Sequence, residues 1–164
     1  RAGRTRAATP ALLKGLIFGP TGCAMTPTHT RRGDKLYRYY VSQSVLKRGA
    51  DACPVGRVPA AEIEGAVVDQ LRGLLRSPEI VVGTWRTART DIDELIEADV
   101  RQALEAVDPL WHELFPAEQA RIIQLLIERV DVRTDGVEIR LRVDGLNHLV
   151  SEMSGGVLVQ RATA

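Results

Sequence analysis

The chain has 164 residues, 45% of them hydrophobic and 26% charged, which lies within the globular range and excludes a disordered or fibrous protein. It has no apolar run of the roughly 18–20 residues a membrane helix needs, no apolar segment behind its basic N-terminus that would make a secretory signal, and two cysteines, too few for a disulfide scaffold. The net charge of +1 conceals a division: up to Arg57, 11 Lys and Arg stand against two acids, a balance of +9, and the rest of the chain carries −8. A soluble cytoplasmic protein is expected, with a first part that favours a polyanion, because clustered cations release counterions when they meet phosphates. The plain alternative is a solvated basic face.

In chain order, residues 1–10 are small, basic and aperiodic, the remnant of a linker. Leu12 to Phe18 is a short apolar run and predicts a buried strand, followed by a turn at Gly19-Pro20-Thr21-Gly22. Met25 to Ser44 predicts two strands joined by a hairpin turn at Arg32-Gly33-Asp34. All three tyrosines of the chain fall here, and Tyr40 is expected in the core. Val45 to Val58, with Gly49, Pro54 and Gly56, reads as a loop.

Helical spacing then dominates. Ala60 to Arg76 repeats Ile63, Val67, Leu71 and Leu74, and Ser77-Pro78-Glu79 supplies a cap, an N1 proline and a first-turn acid for a helix to about Thr90. Asp91 to Val107 predicts a third helix, ended by Asp108-Pro109, whose Ile96, Val100, Ala103 and Val107 form a short heptad seam. Pro116 to Arg129 is a helix with an apolar face of Ile122, Ile123, Leu126 and Ile127. The period then changes to two: Val130 and Val132, an Asp135-Gly136 turn, and Val137, Ile139, Leu141 and Val143 predict a hairpin. Leu146 to Glu152 suggests a short helix, and residues 151–164 a frayed tail. The expected fold class is α+β. Residues 11–58 make a small β domain, 59–109 a helical insertion, and 110–150 a helix and hairpin that pack on the β domain.

Catalytic signatures are missing. His112-Glu113 has no second histidine at the zincin spacing, and there is no G-x-S-x-G, phosphate-binding loop or G-x-G-x-x-G. Cys23 and Cys53 lie 30 residues apart without the paired C-x2–4-C spacing a structural zinc site uses, so no metal or other cofactor is expected and the thiols should be reduced. Nucleic-acid binding has the best support. Thr28, His29, Arg31 and Arg32 lead into the hairpin turn and Lys35 and Arg38 leave it. Hydroxyls and cations hydrogen-bond phosphates, and a two-stranded ribbon can enter a major groove.

Four segments occur in one order: LLKGLIFGPTG, MTPTHTRRGDKLYRYYVSQ, GRVPAAEIEGAVVDQL and FPAEQARIIQLLIERVDVRTDGVEIRLR. The series, about Ala11 to Val150, resembles the C-terminal region of large serine recombinases of the resolvase/invertase superfamily of bacteria and mobile elements. The resemblance implies a recombinase zinc β-ribbon domain with an embedded helical hairpin. It also implies attachment-site double-stranded DNA as partner, self-association through the helical insertion, and a bacterial, nucleoid-associated location. The family's C-x2-C pair falls on Phe18 and Thr21 here, its third cysteine near Ser42, and its fourth on Cys53, so the zinc ligands are largely lost. The serine domain with which such recombinases cut DNA has no match in these residues. The expected role is therefore DNA recognition in recombination and integration without catalysis. The alternative is a protein-interaction or structural module without direct DNA binding.

Overall fold

A computed structural model describes residues 10–163, and all of the linker reading except Pro10 lies outside them. The chain is mixed α+β and divides into two compact units. The first takes the described residues up to Val67 together with Leu114–Arg140; the second takes Val68–Glu113 and the described residues from Leu141.

The first unit holds two three-stranded sheets. β2 (Met25–Arg32), β3 (Lys35–Ser42) and β4 (Arg57–Pro59) form an antiparallel sheet with β3 in the centre. Pro27 and Pro59, which cannot donate to a ladder, both sit on its edge strands. Gly33 and Asp34 close the β2–β3 hairpin, and Gly33 has φ 61°, the left-handed value a two-residue hairpin loop asks of its first residue. The second sheet has the order β1-β5-β6, from β1 (Ile17–Phe18), β5 (Ile127–Val132) and β6 (Val137–Leu141). β1 runs parallel to β5, with Ile17 opposite Val130 and Phe18 opposite Asp131. A lone hairpin is marginal in water, and the third strand gives the β5–β6 pair a partner from the N-terminal region. The core of this unit gathers Leu13, Ile17, Met25, Tyr40, Ile123, Leu126, Ile127 and Val130, all essentially buried.

Three local expectations for this unit need correction. The strand expected over Leu12–Phe18 is confined to Ile17–Phe18. Hydrogen-bonded turns precede it, closed by Lys14 N–H to Ala11 O and Leu16 N–H to Leu13 O, with Gly15 at φ 80°. Leu13 and Leu16 are buried all the same, so burial drew the reading while the backbone turned. The loop expected over Val45–Val58 contains α1 (Gln43–Arg48), a 3₁₀ turn (Ala50–Ala52) and β4. α1 buries only Ser44 and so has no apolar period to betray it. The helix expected to reach Arg129 is α6 (Pro116–Leu126), and β5 begins at Ile127. The run Leu125-Leu126-Ile127 suits either element, and pairing with β1 settles it.

α2 (Ala60–Leu74) contributes Ala60–Val67 to the first unit and its remaining residues to the second. The second unit otherwise consists of α3 (Pro78–Ala88), α4 (Glu97–Glu105), α5 (Val107–Trp111) and α7 (Val143–Thr163). α3, α4 and α7 pack on one another, and Trp85 on α3 donates from Nε1 to the carbonyl of Leu95 at 2.9 Å. The helix expected from Asp91 starts only at Glu97. Glu94 has φ 61°, Ile96 is extended, and the Asp99 carboxylate accepts the Ile96 N–H at 3.0 Å in place of a helical carbonyl. Pro109 does not end the helical region; it occupies the first turn of α5, where its missing N–H costs nothing. The frayed tail is also corrected. α7 runs on to Thr163, with Leu146, Leu149 and Val150 buried, and Gly155-Gly156 lies within the helix. The heptad seam is spent inside this unit: Val100, Ala103 and Val107 are buried and Ile96 is exposed.

Candidate nucleic-acid interface

The β2–β3 hairpin passes from a buried base to an exposed tip. Met25, Tyr40, Val41 and Ser42 are buried, whereas every residue from His29 to Tyr37 is exposed. Residues alternate sides along a strand, so the register sorts the expected contact residues onto two faces. His29 lies opposite Arg38 and Arg31 opposite Leu36 on one face; Thr28 lies opposite Tyr39 and Arg32 opposite Lys35 on the other. The structure therefore brings Arg31, Arg32 and Lys35 together at the tip but divides Thr28, Arg32 and Lys35 from His29, Arg31 and Arg38.

The tip is electrostatically unbalanced. Arg32 and Lys35 are directly opposed like charges, a destabilising arrangement across a strand pair. Among the described residues no ion pair is formed by Arg31, Arg32 or Lys35. A polyanion would relieve both features.

Arg38 stands apart. Its guanidinium reaches both carboxylate oxygens of Glu64 on α2, at 3.2 and 3.4 Å. Glu64 is only 8% exposed and also accepts the Tyr40 hydroxyl at 2.9 Å and the Leu12 N–H at 3.1 Å. The Tyr40 oxygen in turn accepts the Leu13 N–H at 3.0 Å. Burial, above all, pushes the Tyr40 phenol well above its ordinary range, with the Glu64 charge acting in the same direction. Removing one partner from a pair of this kind leaves a charge uncompensated, which costs about 3–5 kcal/mol when the pair is fully buried.

Two cations escaped the sequence reading. Lys14 joins His29, Arg31 and Arg38 around a concavity of about 630 Å³ that Pro10 and Ala11 also line. Arg57 on β4 lays its guanidinium 4.5 Å from the centre of the Tyr39 ring. Lys14 is brought there by the turns before β1, and Arg57 by β4 inside a presumed loop; neither position is marked by local composition.

The thiol region at the base of the hairpin tests the expected loss of zinc. Cys23 and Cys53 are both free. Of the places that the resemblance assigns to metal ligands, Thr21 Oγ1 lies 3.9 Å from Cys53 Sγ, Ser42 Oγ is buried with no partner, and the Phe18 ring lies under the Arg129 guanidinium at 3.9 Å. Cys23 Sγ accepts the Ser44 hydroxyl, and that hydrogen bond, followed by one from Thr21, lowers the thiol below its usual range. Among the described residues no three His, Cys, Asp or Glu side chains converge. Two thiols with neutral hydroxyls do not fit a closed tetrahedral zinc site, which needs four strong donors. Cys53 is buried and Cys23 is half-buried.

Comparison with protein families matches residues 12–72 to the recombinase zinc beta ribbon domain. This segment is a recombinase zinc β-ribbon region. It takes in the hairpin, both cysteines and most of α2. A solved structure described as the crystal structure of an LSR–DNA complex is 18% identical, with the match covering 84% of this chain and 52% of that one at a TM-score of 0.46. This chain thus spans about half the length of that one. No curated protein matches the chain. No helix among the described residues is long and apolar enough to cross a membrane.

Proposed function

We propose that the chain is a DNA-binding and subunit-interaction C-terminal module of a site-specific serine recombinase, and that it binds and does not cut. Double-stranded DNA of the attachment-site type is its partner, and the cytoplasm, at the bacterial nucleoid, its place of action. The observation that carries the reading is the exposed tip of the β2–β3 hairpin, where Arg31, Arg32 and Lys35 stand without counter-charges inside a recombinase zinc β-ribbon region. A two-stranded ribbon is narrow enough for a major groove, and the cations at its end suit phosphates along the groove walls. The strand-cleaving chemistry of such recombinases belongs to a serine domain with no counterpart in these motifs.

The test is fluorescence anisotropy with labelled duplex. The Arg31→Glu/Arg32→Glu variant should lose affinity on every duplex sequence, at least tenfold, while its thermal unfolding stays within about 2 °C of the parent, since substitutions at exposed sites change stability little. Unchanged affinity in that variant would contradict the assignment of the tip.

Self-association is proposed for the helical unit, but through surface outside the Val100–Val107 seam, which is buried within the unit.

A further inference from the structure

Resting on the DNA-binding reading, we propose that Arg38 is a positioning residue rather than a phosphate contact. Glu64 holds it in a latch that ties β3 to α2 and to the segment entering β1, and so limits the hairpin's DNA-facing charge to Arg31, Arg32 and Lys35. In sequence these four cations are indistinguishable, all lying within eight residues around one turn. In the fold they differ by what surrounds them. Arg31, Arg32 and Lys35 are exposed and unpaired; Arg38 is half-buried and reaches both oxygens of a carboxylate that is itself nearly buried.

The groups facing Glu64 are the Arg38 guanidinium, the Tyr40 hydroxyl and the Leu12 N–H, three donors to one carboxylate. Turning Arg38 toward a phosphate would strip Glu64 of its only charged partner among them. An exposed phosphate contact returns less than that loss, because a surface ion pair gains little in high dielectric. Glu64 therefore neutralises the base of the hairpin on the face that carries Arg38 and His29, and leaves the tip cationic. The same carboxylate fixes Tyr40 and Leu12, so the latch also sets where the chain enters this unit.

The experiment compares the slope of log affinity against log salt for duplex DNA, together with thermal unfolding, in the full chain and its variants. Arg31→Ala should reduce the slope by about one, the signature of a lost phosphate contact. Arg38→Met, which keeps the aliphatic stem, should leave the slope unchanged and lower the Tm. Glu64→Gln keeps an acceptor for Tyr40 and Leu12 but releases Arg38, and should steepen the slope. A slope reduced as much by Arg38→Met as by Arg31→Ala, at unchanged Tm, overturns the assignment. Absence of DNA binding in every variant would refute the proposed function instead. The latch is then judged on unfolding alone: the Tm shifts of Arg38→Met and Glu64→Gln should fall short of adding in the double variant, and additive shifts would refute it.

Discussion

Tyr40 shows how one side chain can serve two ends of a network. Its hydroxyl donates to Glu64 and accepts from the Leu13 backbone while its ring is fully buried. Tyr40→Phe keeps the ring and strands the Leu13 N–H, so unfolding in urea should show a loss of about 1–3 kcal/mol, the cost of an unsatisfied buried group. The pH dependence has a definite sign. A phenol whose folded pKa is raised stabilises the fold below its unfolded value, and that contribution is lost as pH climbs past about 10. Denaturation followed from pH 8 to 11 should show this alkaline loss in the parent and a smaller one in Tyr40→Phe. Equal losses in both would mean that the ionisation of another group sets the alkaline limit. Sequence reading placed Tyr40 in the core as one of three tyrosines on the hairpin strands. It could not reach Glu64, because the pair joins positions 24 residues apart through the packing of α2.

At the scale of elements, what was legible had a local cause. The β2–β3 hairpin is announced by Gly33, whose positive φ its loop requires, and α3 by the Ser77-Pro78-Glu79 start. The C-terminal hairpin is announced by strict alternation around Asp135-Gly136. What was illegible had a remote cause. Ile127 leaves helix for strand because β1 supplies hydrogen bonds, as in Val130 N–H to Leu16 O at 2.8 Å. α1 forms with only one buried side chain, and α7 continues through two glycines because its first turns are anchored on α3 and α4. The seam of α4 read correctly as apolar but was open between internal and external use. Its burial argues for internal use, so Val100→Ala should cost about 2 kcal/mol through two lost carbons and the cavity they leave. Sedimentation should show the same oligomeric state as the parent; a shift from oligomer to monomer without loss of stability would place the seam at an interface between chains.

At the scale of the whole molecule, residues 12–72 match a zinc-ribbon domain, while the places that the resemblance assigns to its metal ligands hold Phe18, Thr21, Ser42 and only one thiol, Cys53. Structural zinc supplies folding free energy directly, so a ribbon that folds without it rests on packing. The stacked Phe18–Arg129 pair, the β1–β5 ladder and the Glu64 network are contacts that can supply it. Thermal unfolding in excess chelator should match unfolding without it, and a chelator-induced fall in Tm would show that a metal still holds the ribbon. Charge is the second whole-chain property. The first 57 residues carry +9, and three of those cations, Arg31, Arg32 and Lys35, stand unpaired at one hairpin tip.

DNA binding through that tip is tested most directly by titrating the chain against labelled duplex between about 50 and 200 mM salt. Three phosphate contacts from Arg31, Arg32 and Lys35 predict saturable binding whose log affinity falls against log salt with a slope of about −2.7 or steeper. A slope near zero, or no binding at the lowest salt, would contradict a DNA-recognition role for the hairpin.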